Sequence, residues 1–119
     1  MNPVVSTVSL SELPKKLPKA GDTALEHYTM LAGASMPVYA IAKREFLKLK
    51  RIDKIKLPSQ GEEKLVVQLW RRDPTKLVKD DYIDQISLYL SEKDSTDDRT
   101  QIEVEKMMLE LGLKLPNDN

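Results

Sequence analysis

Three groups of side chains carry most of the chemical potential in this chain: one imidazole, one run of acids and one run of bases. His27 is the only histidine, so a Ser-His-Asp arrangement would have to use it, yet no serine lies in a nucleophile elbow. Set between Glu26 and Tyr28 on an amphipathic segment, it reads as a packed or half-exposed residue rather than a catalyst. The chain has no cysteine, which removes disulfides and thiolate metal sites and leaves carboxylates, the ligands of Mg²⁺ or Ca²⁺, as the only metal chemistry. The acidic run EKDSTDDR, residues 92 to 99, lacks the DxDxDG spacing and final glutamate of an oxygen-ligand loop. It reads instead as a loop feeding a first helical turn, where the helix dipole favours acids by about 0.3–1 kcal/mol each. With four glycines and neither GxGxxG nor GxxxxGK[ST], a backbone phosphate cradle is not expected. Glycosidase chemistry needs two acids that meet in space, and nothing in the spacing singles out a pair. The expectation is a non-enzyme with no catalytic residue, no metal and no cofactor.

The bases are more suggestive. KREFLKLKRIDKIK, residues 43 to 56, holds seven basic and two acidic side chains. Nucleic-acid affinity requires several such cations on one face, because each engaged phosphate releases counterions. As a strand, the segment would point Lys48 and Lys50, then Lys54 and Lys56, the same way in two groups. The resulting stripe could hold phosphates, hold a partner's acids, or keep an edge strand from pairing. Trp70, in the apolar strand LVVQLW, is most simply a core anchor, with base stacking as the lesser alternative. Arg71 and Arg72 follow it and can reach a phosphate, a carboxylate, Asp73 or the acidic helices beyond. The nucleic-acid reading therefore rests on Lys43, Arg44, Lys48, Lys50, Arg51, Lys54, Lys56, Arg71 and Arg72. A protein-binding surface would instead need an apolar patch, for which Met30, Met36 and Tyr39, or Met107 and Met108, are candidates. An enzyme would need a pocket gathering His27 with two or more acids.

These side chains must be positioned by rather few elements. Residues 1–20 are punctuated by Pro3, Pro14 and Pro18, and read as an N-terminal arm in which Ser9 or Ser11 caps one helical turn ending before Pro14. Asp22 or Thr23 can cap a helix through DTALEHYTMLAG, with Ala24, Leu25, Tyr28 and Leu31 on one face and Gly33 as its stop. MPVYAIAKREF alternates as a strand that runs into a helix at Lys43. The next segment, LKLKRIDKIKL, fits a strand by its period of two and a helix by its apolar residues at 46, 49 and 52. PSQGEE is a turn and KLVVQLWRR the clearest strand. Asp73 with Pro74 opens a helical turn. DYIDQISLYLSEK places Ile83, Ile86 and Leu90 on one helical face. Ser95, Thr96 or Asp97 then caps a last helix through about Leu111 and Gly112, with Ile102, Met108 and Leu109 inward. The result is an α+β fold, a small sheet of about three strands with helices mainly on one side, as a single domain over residues 21–115 and a frayed tail over 116–119.

The 119 residues suit one domain. With 40% hydrophobic and 32% charged residues, and no apolar run near the roughly 20 residues of a membrane span, neither disorder nor a membrane is expected. The N-terminus lacks the pattern of a secretory signal, so a cytoplasmic location is expected. Net charge is zero, but residues 1–72 carry 13 bases and 7 acids (13 − 7 = +6) and residues 73–119 carry 6 and 12 (6 − 12 = −6). Such a division implies either mutual neutralisation or a basic and an acidic face that meet different partners.

One longer pattern, GDTALEHYTMLAGASMPVYAIAKREF, is similar in layout to the Gly-x-Ser/Thr-Ala-Leu helix, proline and following strand in the effector domain of AbiEi-type antitoxins and related winged-helix regulators. Thr23, Ala24 and Leu25 match the helix start; Pro37 and Val38 match the strand entry. The resemblance covers about residues 21–72. In that family a DNA-binding winged helix precedes this domain, and the protein represses its operon and opposes a nucleotidyltransferase toxin. The 20 residues ahead of Gly21 are too few for a winged helix, so what the resemblance implies here is an effector-like domain. The combined expectation is a bacterial regulatory or antitoxin-like interaction domain that binds a protein partner, with nucleic acid as the alternative.

Overall fold

The computed structural model describes residues 2–29, 31 and 36–112. The expected stop at Gly33 and the expected tail lie outside them. The elements run β1 (Val4–Leu10), α1 (Gly21–Tyr28), β2 (Val38–Ala42), α2 (Lys43–Arg51), β3 (Leu65–Trp70), a 3₁₀ turn (Pro74–Leu77), β4 (Val78–Lys79), β5 (Tyr82–Ile83), α3 (Gln85–Glu92) and α4 (Asp98–Glu110). The fold is α+β. Its main sheet has the order β1-β3-β2, with β1 antiparallel and β2 parallel to the central β3.

Alternation along β3 divides the molecule into two cores. Leu65, Val67 and Leu69 face a cluster with Leu10, Leu17, Ile41, Phe46 and Ile55. Trp70, on the other side, joins Ala24, Leu25, Ala40, Ile83, Leu88, Val104 and Met107. Among the described residues, three helices, α1, α3 and α4, thus cover one face, and α2 is the one helix on the other. Each fully buried Leu, Ile or Val in these clusters contributes about 1.5–3 kcal/mol of transfer free energy.

The first correction concerns the N-terminus, which is no arm. Val4–Leu10 is an edge strand, paired from Val4↔Trp70 to Leu10↔Leu65 with a register shift between Val4 and Ser6. Its valines and threonine favour a pleated backbone, and Leu10 is buried in the second cluster. Ser9 is part of this strand, and the helical turn before Pro14 does not form.

Helix α1 starts one residue before the expected caps. Ala20 occupies the N-cap with no side-chain bond, while the Thr23 hydroxyl accepts from the Val38 N–H at 2.8 Å, tying α1 to β2. Gly21 has φ +52°, and a Cβ there would lie 2.9 Å from Val38 Cγ1 and 3.0 Å from Gln68 Nε2, so both conformation and space call for glycine.

Segment 43–56 resolves as helix followed by a turn. The helix α2 ends in a Schellman arrangement: Lys54 N–H donates to Leu49 C=O at 2.8 Å and Asp53 N–H to Lys50 C=O at 3.2 Å, with Asp53 left-handed at φ 62°. That reversal returns Ile55 to the core beside Phe46.

Two helical faces differ from expectation. Asp80 and Asp81, both at positive φ, turn a two-residue hairpin that pairs Lys79 with Tyr82. Ile83 therefore lies in β5, and α3 begins after Asp84, whose carboxylate accepts from Ser87 N–H at 3.1 Å. This sets the helix phase so that Leu88, Tyr89 and Ser91 are buried and Ile86 is 49% exposed. On α4, capped by Asp97 at Arg99 N–H, the buried stripe is Thr100, Val104, Met107 and Met108. Ile102 and Leu109 are each 54% exposed. Thr100 goes inward because its spacing to Val104 and Met107 is that of one helical face.

Candidate interaction surface on helix α2

The basic side chains of α2 are placed by Phe46. This ring is the buried anchor of the helix, Leu49 packs partly beside it, and Glu45 is half-buried and pairs with Lys15. At about 100° per residue, the remaining positions fall in the order Lys50, Lys43, Leu47, Arg51, Arg44, Lys48 across about 160° of the outward surface. All six are exposed. Five cations against Glu45 give this helix a charge of 5 − 1 = +4. Among the described residues none of the five has an ion-pair partner. Leu47, 44% exposed, sits within this arc, and with Arg44, Lys50 and Arg51 it lines an open depression of about 610 Å³.

The structure brings together some of the expected basic residues and separates others. Lys48 and Lys50 lie at opposite edges of the arc, because the segment is helical and not a strand. The parallel register places Ala42 beside Trp70, so Lys43 and Arg44 leave the sheet at the same end as Arg71 and Arg72. Both arginines are exposed; Arg71 Nε donates to Asn2 C=O at 3.4 Å. Lys54 and Lys56 follow the other end of α2, and Lys56 Nζ is 3.8 Å from Glu12. Trp70 is buried, its Nε1–H donating to Gln68 Oε1 at 3.1 Å, so it offers no stacking platform. Met107 and Met108 are buried, which withdraws that pair as an apolar patch, while Met36 and Tyr39 are half-buried; Met30 lies outside the described residues. Sequence reasoning missed Leu47 as the apolar centre. Its signal was a leucine one turn from Lys43, Arg44, Lys50 and Arg51, legible once the segment is taken as helix.

Two polar depressions lie on the other side of the molecule. One, of about 300 Å³, is lined by His27, Tyr28, Thr29, Glu103, Lys106, Met107 and Glu110, so His27 does share a pocket with two acids. Its ring, however, stacks on Tyr82 at 3.8 Å between centroids and 3° between planes, and Glu103 faces Lys106 at 3.7 Å. Among the described residues His27 makes no hydrogen bond or ion pair to either carboxylate, so no orienting acid holds it as a base. The Tyr28 hydroxyl donates to Ile83 C=O at 3.0 Å, and its pKa is raised by burial and by Asp84, Asp80 and Tyr82.

The second depression, of about 240 Å³, includes Gly21, Asp22, Gln68, Glu92, Ser95, Asp97 and Thr100. Burial and the nearby Asp22 carboxylate push the Glu92 carboxyl up to about 7, against a hydrogen bond from Gln68 that lowers it. Gln68 Nε2 donates to Glu92 Oε1 at 3.5 Å. Among the described residues no group of three or more His, Asp or Glu side chains could hold a metal ion, and no helix is long and apolar enough to cross a membrane. No family model matches the chain, and neither does any curated protein or solved structure.

Proposed function

We propose that this chain is a non-enzymatic interaction domain of the cytoplasm, regulatory or antitoxin-like in role, which docks an acidic segment of a protein partner on the outer face of α2. The observation that carries this reading is the exposed Leu47 within an arc of five exposed cations that have no ion-pair partner among the described residues. An apolar centre with a charged rim is the usual anatomy of a protein–protein contact. The rim cations steer and orient an acidic partner, and the leucine supplies the water-excluding contact. The resemblance of residues 21–72 to an antitoxin effector domain supports casting that partner as the target of a regulator.

The rival reading, a nucleic-acid surface, is favoured by the +4 charge of α2 and by Arg71 and Arg72 at its N-terminal end. Fluorescence anisotropy separates the two, using a labelled helical peptide with leucines flanked by Asp and Glu, and a labelled DNA duplex. On the protein reading, Leu47→Ser weakens the peptide about tenfold, as loss of a central apolar anchor does, and Arg44→Glu with Arg51→Glu abolishes binding. Duplex binding that is tighter than peptide binding, falls steeply with salt and is indifferent to Leu47→Ser would replace the protein reading with the nucleic-acid one.

A further inference from the structure

The two edges of the main sheet are treated differently. Along β2, residues 18–20 run as cover: Ala40 N–H donates to Pro18 C=O at 3.0 Å and Ala20 N–H to Val38 C=O at 2.9 Å. Along β1, among the described residues, no backbone pairs with the outer side. Open edges of this kind are templates for another strand, and soluble proteins guard them with lysine, proline or inward charges. The strand VVSTVSL has none of these, in a chain that is 32% charged. Its bulge is confined to the start, and residues 6–10 pair in unbroken register with β3. Val5, Ser6, Thr7 and Ser9 are exposed.

We propose that β1 is a homodimerisation edge, two copies pairing residues 6–10 antiparallel about a two-fold axis to join two three-stranded sheets into one. A second copy is the occupant because antiparallel pairing of a strand with itself is self-complementary. Here it also brings only short, uncharged side chains face to face, so no like charges oppose one another. The two-fold axis of such a pair is perpendicular to the sheet, so each layer stays on its own side. Both α2 helices then lie on one face of the dimer, and the α1, α3 and α4 layers on the other. The contact is separate from the α2 surface, but it would present that surface twice to a bivalent partner.

A strand pair this short is at the small end of specific contacts, so association is expected at about 0.1–1 mM. Sedimentation velocity should show the mass rising from 13.6 kDa toward twice that value with concentration. Ser6→Lys with Ser9→Lys, two exposed sites, should hold the chain at the monomer mass while its circular dichroism is unchanged. The absence of native cysteine permits a second readout. Of Ser6→Cys, Thr7→Cys, Val8→Cys and Ser9→Cys, the one on the axis should form an intermolecular disulfide about tenfold or more faster than exposed Thr96→Cys, given the short Cα separation a disulfide requires. A chain that stays monomeric across this range overturns the proposal. So does a dimer that survives both lysines with no cysteine in β1 favoured, because another face then makes the contact. Peptide binding by α2 in the lysine variant is expected to persist, so either surface can fail without the other.

Discussion

Replacing Glu92 with glutamine should stabilise the protein by an amount that is absent near pH 4, grows as pH rises from 4.5 to about 7 and is constant above that. Glu92 ends α3 beside Gln68, and burial, followed by the Asp22 carboxylate, raises its carboxyl from 4.5 to about 7. Between those values the folded chain holds the proton that the unfolded chain has released. Because the folded state binds more protons there, the free energy of unfolding falls as pH rises through the window. A displacement from 4.5 to about 7, at about 1.4 kcal/mol per pH unit, corresponds to about 3 kcal/mol lost above pH 7 relative to pH 4. Glu92→Gln keeps an oxygen for Gln68 Nε2 and cannot ionise, so it escapes that loss. Urea denaturation followed by circular dichroism should find the two proteins within about 0.5 kcal/mol near pH 4 and the variant up to about 3 kcal/mol more stable near pH 8. Titrating groups that do not couple to Glu92 cancel in the difference; Asp22, which does, is part of the effect. A stability difference that does not change between the two pH values, or a variant less stable near pH 8, would refute the reasoning.

Three further outcomes follow from the backbone. Gly21→Ala should destabilise by about 2 kcal/mol or more, because a left-handed residue acquires a Cβ that meets Val38 at 2.9 Å; thermal denaturation measures it, and an unchanged Tm contradicts it. Asp53→Gly should stabilise by about 0.5–1 kcal/mol, since glycine takes the left-handed position of the Schellman turn without strain; urea titration gives the sign. Deleting residues 2–10 should abolish cooperative unfolding, because it strips one side of the central strand and removes Leu10 from the second core; a sharp, reversible transition in the truncated chain would show β1 to be dispensable.

The α+β class and the strand at LVVQLW were legible because their signals are local: β-branched runs, an Asp-Pro turn, an aspartate cap. What escaped was set by contacts distant in sequence. VVSTVSL is β-branched at Val4, Val5, Thr7 and Val8, but the prolines on either side made it read as an arm, and only its pairing with β3 shows it to belong to the sheet. In KREFLKLKRIDKIK the alternation of Leu47 and Leu49 mimicked a strand. Phe46 and Leu49 decided for helix by packing on the sheet, and Asp53 ended it in a conformation most residues avoid. The exposure of Ile86, Ile102 and Leu109 follows from helix phase, which the Asp84 and Asp97 caps and the buried Leu88, Val104 and Met107 fix in three dimensions. The basic candidates are all exposed, and their arrangement around Leu47 depended on the helix that periodicity left open.

The most direct test of the α2 surface is an NMR titration of the ¹⁵N-labelled chain with the acidic amphipathic peptide. Shift changes concentrated in Lys43–Arg51, centred on Leu47 and lost in Leu47→Ser, are the predicted result. Changes gathered instead at the pocket of His27 and Glu103, or none at saturating peptide, would contradict the assignment of α2 as the docking face.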